Sequence, residues 1–204
     1  MIRFYLLLFF IQLLVAQQLN EYSLRNLTVR NGISQNSINV ILQDSKGFLW
    51  LGTRAGLNRY NAYNFEEFKH IPFDSNSLVD SHINEIFEDQ NGRIWLGTSG
   101  GLDLFDFAKR QFIHIKTEID SANSRRRIIH TINEDMNGNL WIGTSAGLLV
   151  MNSDRQIRTF YKENGDLAIL SSAVVTDLSI QSDILWIGTL NGLFQMNLTS
   201  AEIK

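Results

Sequence analysis

The sequence predicts an all-β fold, a β-propeller of four four-stranded blades, and three observations lead to it. A tetrapeptide recurs as Trp50-Leu51-Gly52-Thr53, Trp95-Leu96-Gly97-Thr98, Trp141-Ile142-Gly143-Thr144 and Trp186-Ile187-Gly188-Thr189, at tryptophan spacings of 45, 46 and 45 residues. That is the period of solenoids, propellers and arrays. The register holds on both sides: Gly-Leu follows each Trp by six residues, and in three copies Asp and Gly precede it by six and three, as Asp44/Gly47, Asp89/Gly92 and Asp135/Gly138. Within one period the apolar residues alternate as in strands. No stretch after the first residues carries apolar side chains at i, i+3, i+4 and i+7 over the ten residues a helical repeat needs.

The second repeat shows the strand count. Ile83 to Phe87 opens with alternating apolar residues, Gln90-Asn91-Gly92 turns, Ile94 to Thr98 is rich in β formers, Ser99-Gly100-Gly101 turns, and Leu102 to Phe107 and Phe112 to Lys116 alternate again. Four short antiparallel strands at this period make a propeller blade. The blades fall at about residues 38–70, 83–116, 129–162 and 174–204, the last ending in a stub at Glu202 to Lys204, with an extra strand at Tyr22 to Val29.

Each recurring residue has a physical task. The Asp of the first turn can accept hydrogen bonds from backbone N–H groups two residues on, and the Gly after it supplies positive φ. The Trp ring fills the gap between neighbouring blades and buries on the order of 150–250 Å²; truncating it to Ala should cost about 3–5 kcal/mol. The glycines Gly52, Gly97, Gly143 and Gly188 permit close approach of blade backbones near the axis. The fourth repeat departs by shortening its first turn to Gln181-Ser182-Asp183.

Composition bounds the rest. A chain of 204 residues with 44% hydrophobic and 19% charged residues is globular. A net charge of -3 gives no reason to expect nucleic acid as a partner. The basic run Arg125-Arg126-Arg127 reads as a solvated loop between repeats. Without cysteine there are no disulfides, thiolate metal sites or thiol nucleophiles. Residues 1–16 read as a secretory signal peptide: Arg3, an apolar run from Phe4 to Val15 broken only by Gln12, and Ala16 as the cleavage residue, with Leu14 in the place where a small residue is preferred. That run is too short for a comfortable membrane span. The mature part, residues 17–204, is therefore expected in the periplasm.

Motifs of catalysis and metal binding yield to plainer readings. Gly97-Thr98-Ser99-Gly100-Gly101 and Gly143-Thr144-Ser145-Ala146-Gly147 satisfy the G-x-S-x-G pattern, but that nucleophile elbow must lead into a helix and here a strand follows. The turns opening at Asp89 and Asp135 begin like calcium loops, yet Gly100 and Ala146 stand where the bidentate Glu belongs. His70, His82, His114 and His130 occupy non-equivalent positions without ligand spacing. No phosphate-cradling loop is present, so neither cofactor nor enzymatic activity is expected.

The pattern Ile-x-x-Ile-x-Glu-Asp-x-x-Gly-x-Leu-Trp-Ile-Gly-Thr-x-x-Gly-Leu, nearly matched by Ile129 to Leu148, resembles the two-component regulator propeller repeat. The run Leu27 to Ser37 leading into Gln43 to Trp50 is similar to the start of such sensors after their signal peptide. The resemblance implies seven-bladed propellers, often in tandem, in the periplasmic part of bacterial hybrid sensor kinases and related regulators, many of which detect oligosaccharides. It thus implies a module that senses a small extracellular ligand, with the remaining blades and the kinase or regulator domains outside residues 1–204. Four blades of that kind make an open arc of a larger ring; closure with Tyr22 to Val29 as the outer strand of the last blade is the alternative. An open arc exposes an apolar flank and is expected to self-associate. Propellers usually bind at one end of the axis through turns that vary between repeats, which makes Arg54, Ser99, Ser145 and Leu190, at one equivalent turn, the candidate contacts. The spacing leaves open which end they face. The rival functions are a protein-docking scaffold and a propeller-type lyase or glycosidase.

Overall fold

The computed structural model describes residues 24–116, 128–159, 170 and 173–200. Three four-stranded sheets and one three-stranded sheet follow one another along the chain. The first holds β1 (Ile38–Gln43), β2 (Leu49–Thr53), β3 (Leu57–Tyr60) and β4 (Phe65–Phe68). The second holds β5 (Ile83–Glu88), β6 (Ile94–Thr98), β7 (Leu102–Asp106) and β8 (Gln111–Ile115). The third holds β9 (Ile129–Glu134), β10 (Leu140–Thr144), β11 (Gly147–Met151) and β12 (Ile157–Thr159); the fourth holds β13 (Val175–Gln181), β14 (Ile184–Thr189) and β15 (Gly192–Asn197). Within each sheet sequential strands pair antiparallel, and no α-helix occurs among the described residues. First strands pack in succession, β1 on β5, β5 on β9 and β9 on β13. That is the arrangement of propeller blades around an axis.

Three of the four tryptophans sit between sheets. Trp50 lies with Ile83, Ile86 and Phe105 of the second sheet, Trp95 with Ile129, Ile132 and Met151 of the third, and Trp141 with Val175, Leu178 and Met196 of the fourth. Packing of the next sheet's first strand accounts for the glycine after Trp-Leu or Trp-Ile in the first three repeats. A Cβ on Gly52 would stand 2.7 Å from Ile83 Cγ2, one on Gly97 2.7 Å from Ile129 Cγ2, and one on Gly143 2.7 Å from Val175 Cγ1. On Gly188 the nearest atom would be Asp177 O at 3.5 Å, in its own sheet.

The fourth sheet therefore has an open flank. Leu57, Leu102 and Leu148 are fully buried, while Leu193 in the same position is 65% exposed, and Trp186 is only half-buried. At the other end of the arc Ile41, equivalent to the buried Ile86, Ile132 and Leu178, is 61% exposed. Two flanks of the same repeated interface thus lie bare at opposite ends of the arc.

One expectation needs correction. The strand at Tyr22 to Val29 does not form over its described part: Thr28 caps a 3-10 turn at Val29–Asn31, its hydroxyl accepting from Arg30 N while its N–H donates to Asn31 Oδ1, and Gly32 ends the turn at φ 103°. That local capping competes successfully with strand pairing. The fourth sheet has three strands among the described residues, and the stub at Glu202 to Lys204, where its fourth is expected, lies outside them. The signal peptide, the run Arg125 to Arg127 and the stub at Glu202 to Lys204 lie outside the described residues.

Candidate functional site

Each β2–β3-type turn is built on the same frame. Thr53, Thr98, Thr144 and Thr189 each donate Oγ1–H to the carbonyl of the Gly three residues on, at 2.8 Å, and each of those glycines has positive φ. The Thr hydroxyl also accepts a backbone N–H within the turn, from Ala55, Gly100, Ala146 or Asn191. Because the Thr side chain and the Gly backbone satisfy the turn internally, the residue after Thr is free to vary. Those residues are Arg54, Ser99, Ser145 and Leu190.

The four turns lie at one end of the arc. The backbone N–H of Ser99 donates to His82 O, that of Ser145 to Ile128 O and that of Leu190 to Val174 O, each acceptor standing immediately before the first strand of its blade. Arg54 N donates to Gln35 Oε1 at 3.2 Å, three residues before β1. Arg54 and Leu190 are exposed, and Ser99 and Ser145 are half-buried.

A second set of residues completes this end, and strand alternation did not reveal it. Each first strand carries a one-residue bulge, at Asn39, Asn84, His130 and Thr176. A bulge breaks the period of two, so these positions look like noise in the pattern. Their only sequence signal is a polar residue directly after the Ile or Val that opens the strand. Asn39 Nδ2 donates to Ile83 O and Asn84 Nδ2 to Ile129 O, both at 3.0 Å, tying each blade to the next. Ser99 Oγ lies 3.5 Å from Asn84 Nδ2, and Ser145 Oγ lies 3.1 Å from His130 Nε2. Burial holds the His130 imidazole below the usual histidine range.

Next along the strands, Val40, Glu85, Thr131 and Asp177 pair with Gly52, Gly97, Gly143 and Gly188. Burial pushes the Glu85 carboxyl up to about 7; the N–H of Ile86, donated to its Oε1, opposes the rise and the charge of Asp177 adds to it. This end of the arc thus offers hydroxyl, amide and imidazole groups around a carboxyl that exchanges its proton near neutrality. Among the described residues no cluster of three metal-ligating side chains occurs. Ser145 and His130 are within hydrogen-bond reach, but Ser145 sits on a strand-turn-strand between β10 and β11. No carboxylate orients the other imidazole nitrogen among the described residues.

The opposite end is structural. Asp44, Asp89 and Asp135 are buried, and each accepts backbone N–H groups through Oδ1 and the indole N–H of Trp50, Trp95 or Trp141 through Oδ2 at 2.7–2.9 Å. The indole bond is an addition to the turn role that sequence assigns them. The loops that open like calcium sites are in this structure turns whose carboxylates are occupied by indole and backbone donors.

The fold and the repeated turn end define a β-propeller repeat protein. Residues 32–55, 77–100 and 125–146 match the family model of the two component regulator propeller, so three of this chain's repeats are similar to that repeat. A histidine kinase P4 from Formosa agariphila is 35% identical over 69 residues, which are 34% of this chain and 5% of that protein. Among solved structures, the extracellular domain of a hybrid two component system from B. thetaiotaomicron shares the fold with a TM-score of 0.75 and 23% identity, over 88% of this chain and 26% of its own. A streptogramin B lyase shares it with a TM-score of 0.62 and 15% identity, over 85% of this chain and 55% of its own. This chain therefore spans 5% of the kinase and about a quarter of that extracellular domain.

Proposed function

We propose that this chain is an extracytoplasmic ligand-sensing propeller of a bacterial two component regulator, exported to the periplasm, and that its ligand is an oligosaccharide bound at the turn end. The observation that carries the reading is the set of four turns with one frame and different displayed side chains, Arg54, Ser99, Ser145 and Leu190, backed by the polar bulge residues. A structural turn has no need of that variation; a binding surface does. The similarity to a histidine kinase and the shared fold of a two component extracellular domain support the same role. Output belongs to kinase or regulator domains acting with this module.

Calorimetric titration of an oligosaccharide panel against the mature chain tests the reading. Heat is expected for at least one member and is expected to weaken in Arg54→Ala and Ser145→Ala; no heat for any member removes the oligosaccharide. The same samples, assayed for shortened or unsaturated products, test the lyase and glycosidase alternative, which the fold shared with a streptogramin B lyase keeps in view. Fusion of residues 1–16 to a reporter active only after export tests localisation.

The open flank adds a partner. Ile38 and Ile41 occupy the positions held by Ile83 and Ile86 in the first internal junction, so on one copy they would meet Gly188 and Leu193 of another. Head-to-tail self-association through the two bare flanks follows from this complementarity.

A further inference from the structure

A cavity of about 290 Å³ opens between the third and fourth sheets, at the end of the arc away from the variable turns. It exists because the repeat loses its fillers there. At the first junction Phe48 stands two residues before the Trp and Arg59 nine after it, the guanidinium 4.1 Å above the Phe48 ring and 5.5 Å above Trp50, with Phe105 and Phe107 against the same indole. At the second junction Arg93 covers Trp95 at 5.5 Å. At the third junction the same positions hold Asn139 and Val150, and the fourth sheet offers Met196 and Leu198 where the second offers Phe105 and Phe107. Shorter side chains leave space that the other junctions fill.

The walls have a consistent chemistry. The floor is apolar, from Trp141, Val150 and Met196. Around it stand amides whose remaining capacity is defined. Asn152 Oδ1 accepts from Gln156 N, and Asn197 Oδ1 accepts from Thr199 N and Ser200 N, and neither Nδ2 group has a bond among the described residues. Asn139 spends its Nδ2 on Asp135 and keeps Oδ1. The Asp135 carboxylate is taken up by backbone, amide and indole donors. Among the described residues no Lys, Arg or His lines the space. An anion finds no cation there, and a cation finds a carboxylate already committed. A group that both donates and accepts suits two free N–H₂ groups and one free carbonyl, and an apolar face suits the floor.

We propose that this cavity is a second binding site, for an uncharged ring-sized ligand with hydroxyl groups at its edge and an apolar face. It is independent of the turn-end reading. A ligand of that size is expected to bind in the millimolar range.

The test is titration of the ¹⁵N-labelled chain with glucose, galactose and mannose, with glucuronate and glucosamine as charged counterparts, following side-chain amide signals. The Asn152 and Asn197 N–H₂ signals should shift and saturate with at least one neutral sugar, and the charged counterparts should bind at least about tenfold more weakly. Asn197→Leu should weaken binding to a similar degree. Val150→Arg, which restores the filler of the first junction, should abolish it while the thermal midpoint is kept. Arg54→Ala and Ser145→Ala should leave it unchanged, which separates this site from the turn end. Absence of shifts with all three neutral sugars, equal binding by glucuronate, or undiminished binding in Val150→Arg would each overturn the proposal.

Discussion

Replacing Gly97 with Ala probes the blade junction with one methyl group. The new Cβ would stand 2.7 Å from Ile129 Cγ2, 3.1 Å from Ile129 Cβ and 3.1 Å from Glu85 Cβ. Both neighbours are held at Cβ by paired strands, so no flexible side-chain end can swing aside. The two sheets must separate by several tenths of an ångström or a rotamer must strain, and overpacking of this kind costs about 1–3 kcal/mol. In a chain of this size each kcal/mol lowers Tm by roughly 2–4 °C. Gly188→Ala is the matched control, because its Cβ meets nothing closer than 3.5 Å and no following sheet. Its effect should stay within about 0.5 kcal/mol in dilute monomer. Urea unfolding followed by tryptophan fluorescence measures both, and Gly97→Ala in an Ile129→Ala background should cost less than in wild type. Equal costs for Gly97→Ala and Gly188→Ala would refute the assignment of a packed junction at one glycine and an open flank at the other.

Asp89→Asn should lower stability by about 1–3 kcal/mol, because a buried carboxylate oxygen that accepts from Trp95 Nε1 and Arg93 Nε is lost, and a blue-shifted or broadened tryptophan spectrum before unfolding would report the disturbed indole. Glu134 Oε1 is a buried acceptor without a partner, whereas its equivalent Glu88 receives both N–H and O–H from Ser45. Gln90→Ser should supply the missing hydroxyl and raise the free energy of unfolding in urea by about 1 kcal/mol, and a lowered value would contradict it. The Glu85 carboxyl is raised in the folded state, so it binds its proton more tightly there than in the unfolded chain; its contribution is full below about pH 4.5 and is lost as pH rises through about 7. The stability difference between wild type and Glu85→Gln should therefore shift against wild type across that window, and a difference flat with pH would contradict it. Leu193→Arg should abolish self-association measured by light scattering, with Tm unchanged within about 2 °C, since the side chain is exposed in the single copy.

How much of this was legible follows from which residues repeat a task. Trp, Gly and Leu recur because every junction needs the same ring, the same close approach and the same buried leucine, so the period alone announces the blades. The carboxylate-to-indole bond was visible only as a constant separation of six residues, which a turn role explains equally well. The bulge residues were hidden because an extra residue shifts the alternation by which strand faces are read, and the described part of the run Tyr22 to Val29 pairs with no strand because Thr28 caps a turn there.

The variation between repeats carries the remaining information. Where the frame is identical, a change of side chain has to be accommodated by packing or left as open space. Fillers Phe48, Arg59 and Arg93 give way to Asn139 and Val150, and a cavity appears; Asp gives way to a shortened turn before Trp186, and that indole is half-exposed. Arg54 and Leu190 differ on turns that share the same Thr-to-Gly hydrogen bond, so that bond does not select them. Repetition in this chain therefore separates two kinds of residue: those that a blade requires wherever it stands, and those that only one place in the arc requires. Function has to be sought among the second kind, at the turn end and at the third junction.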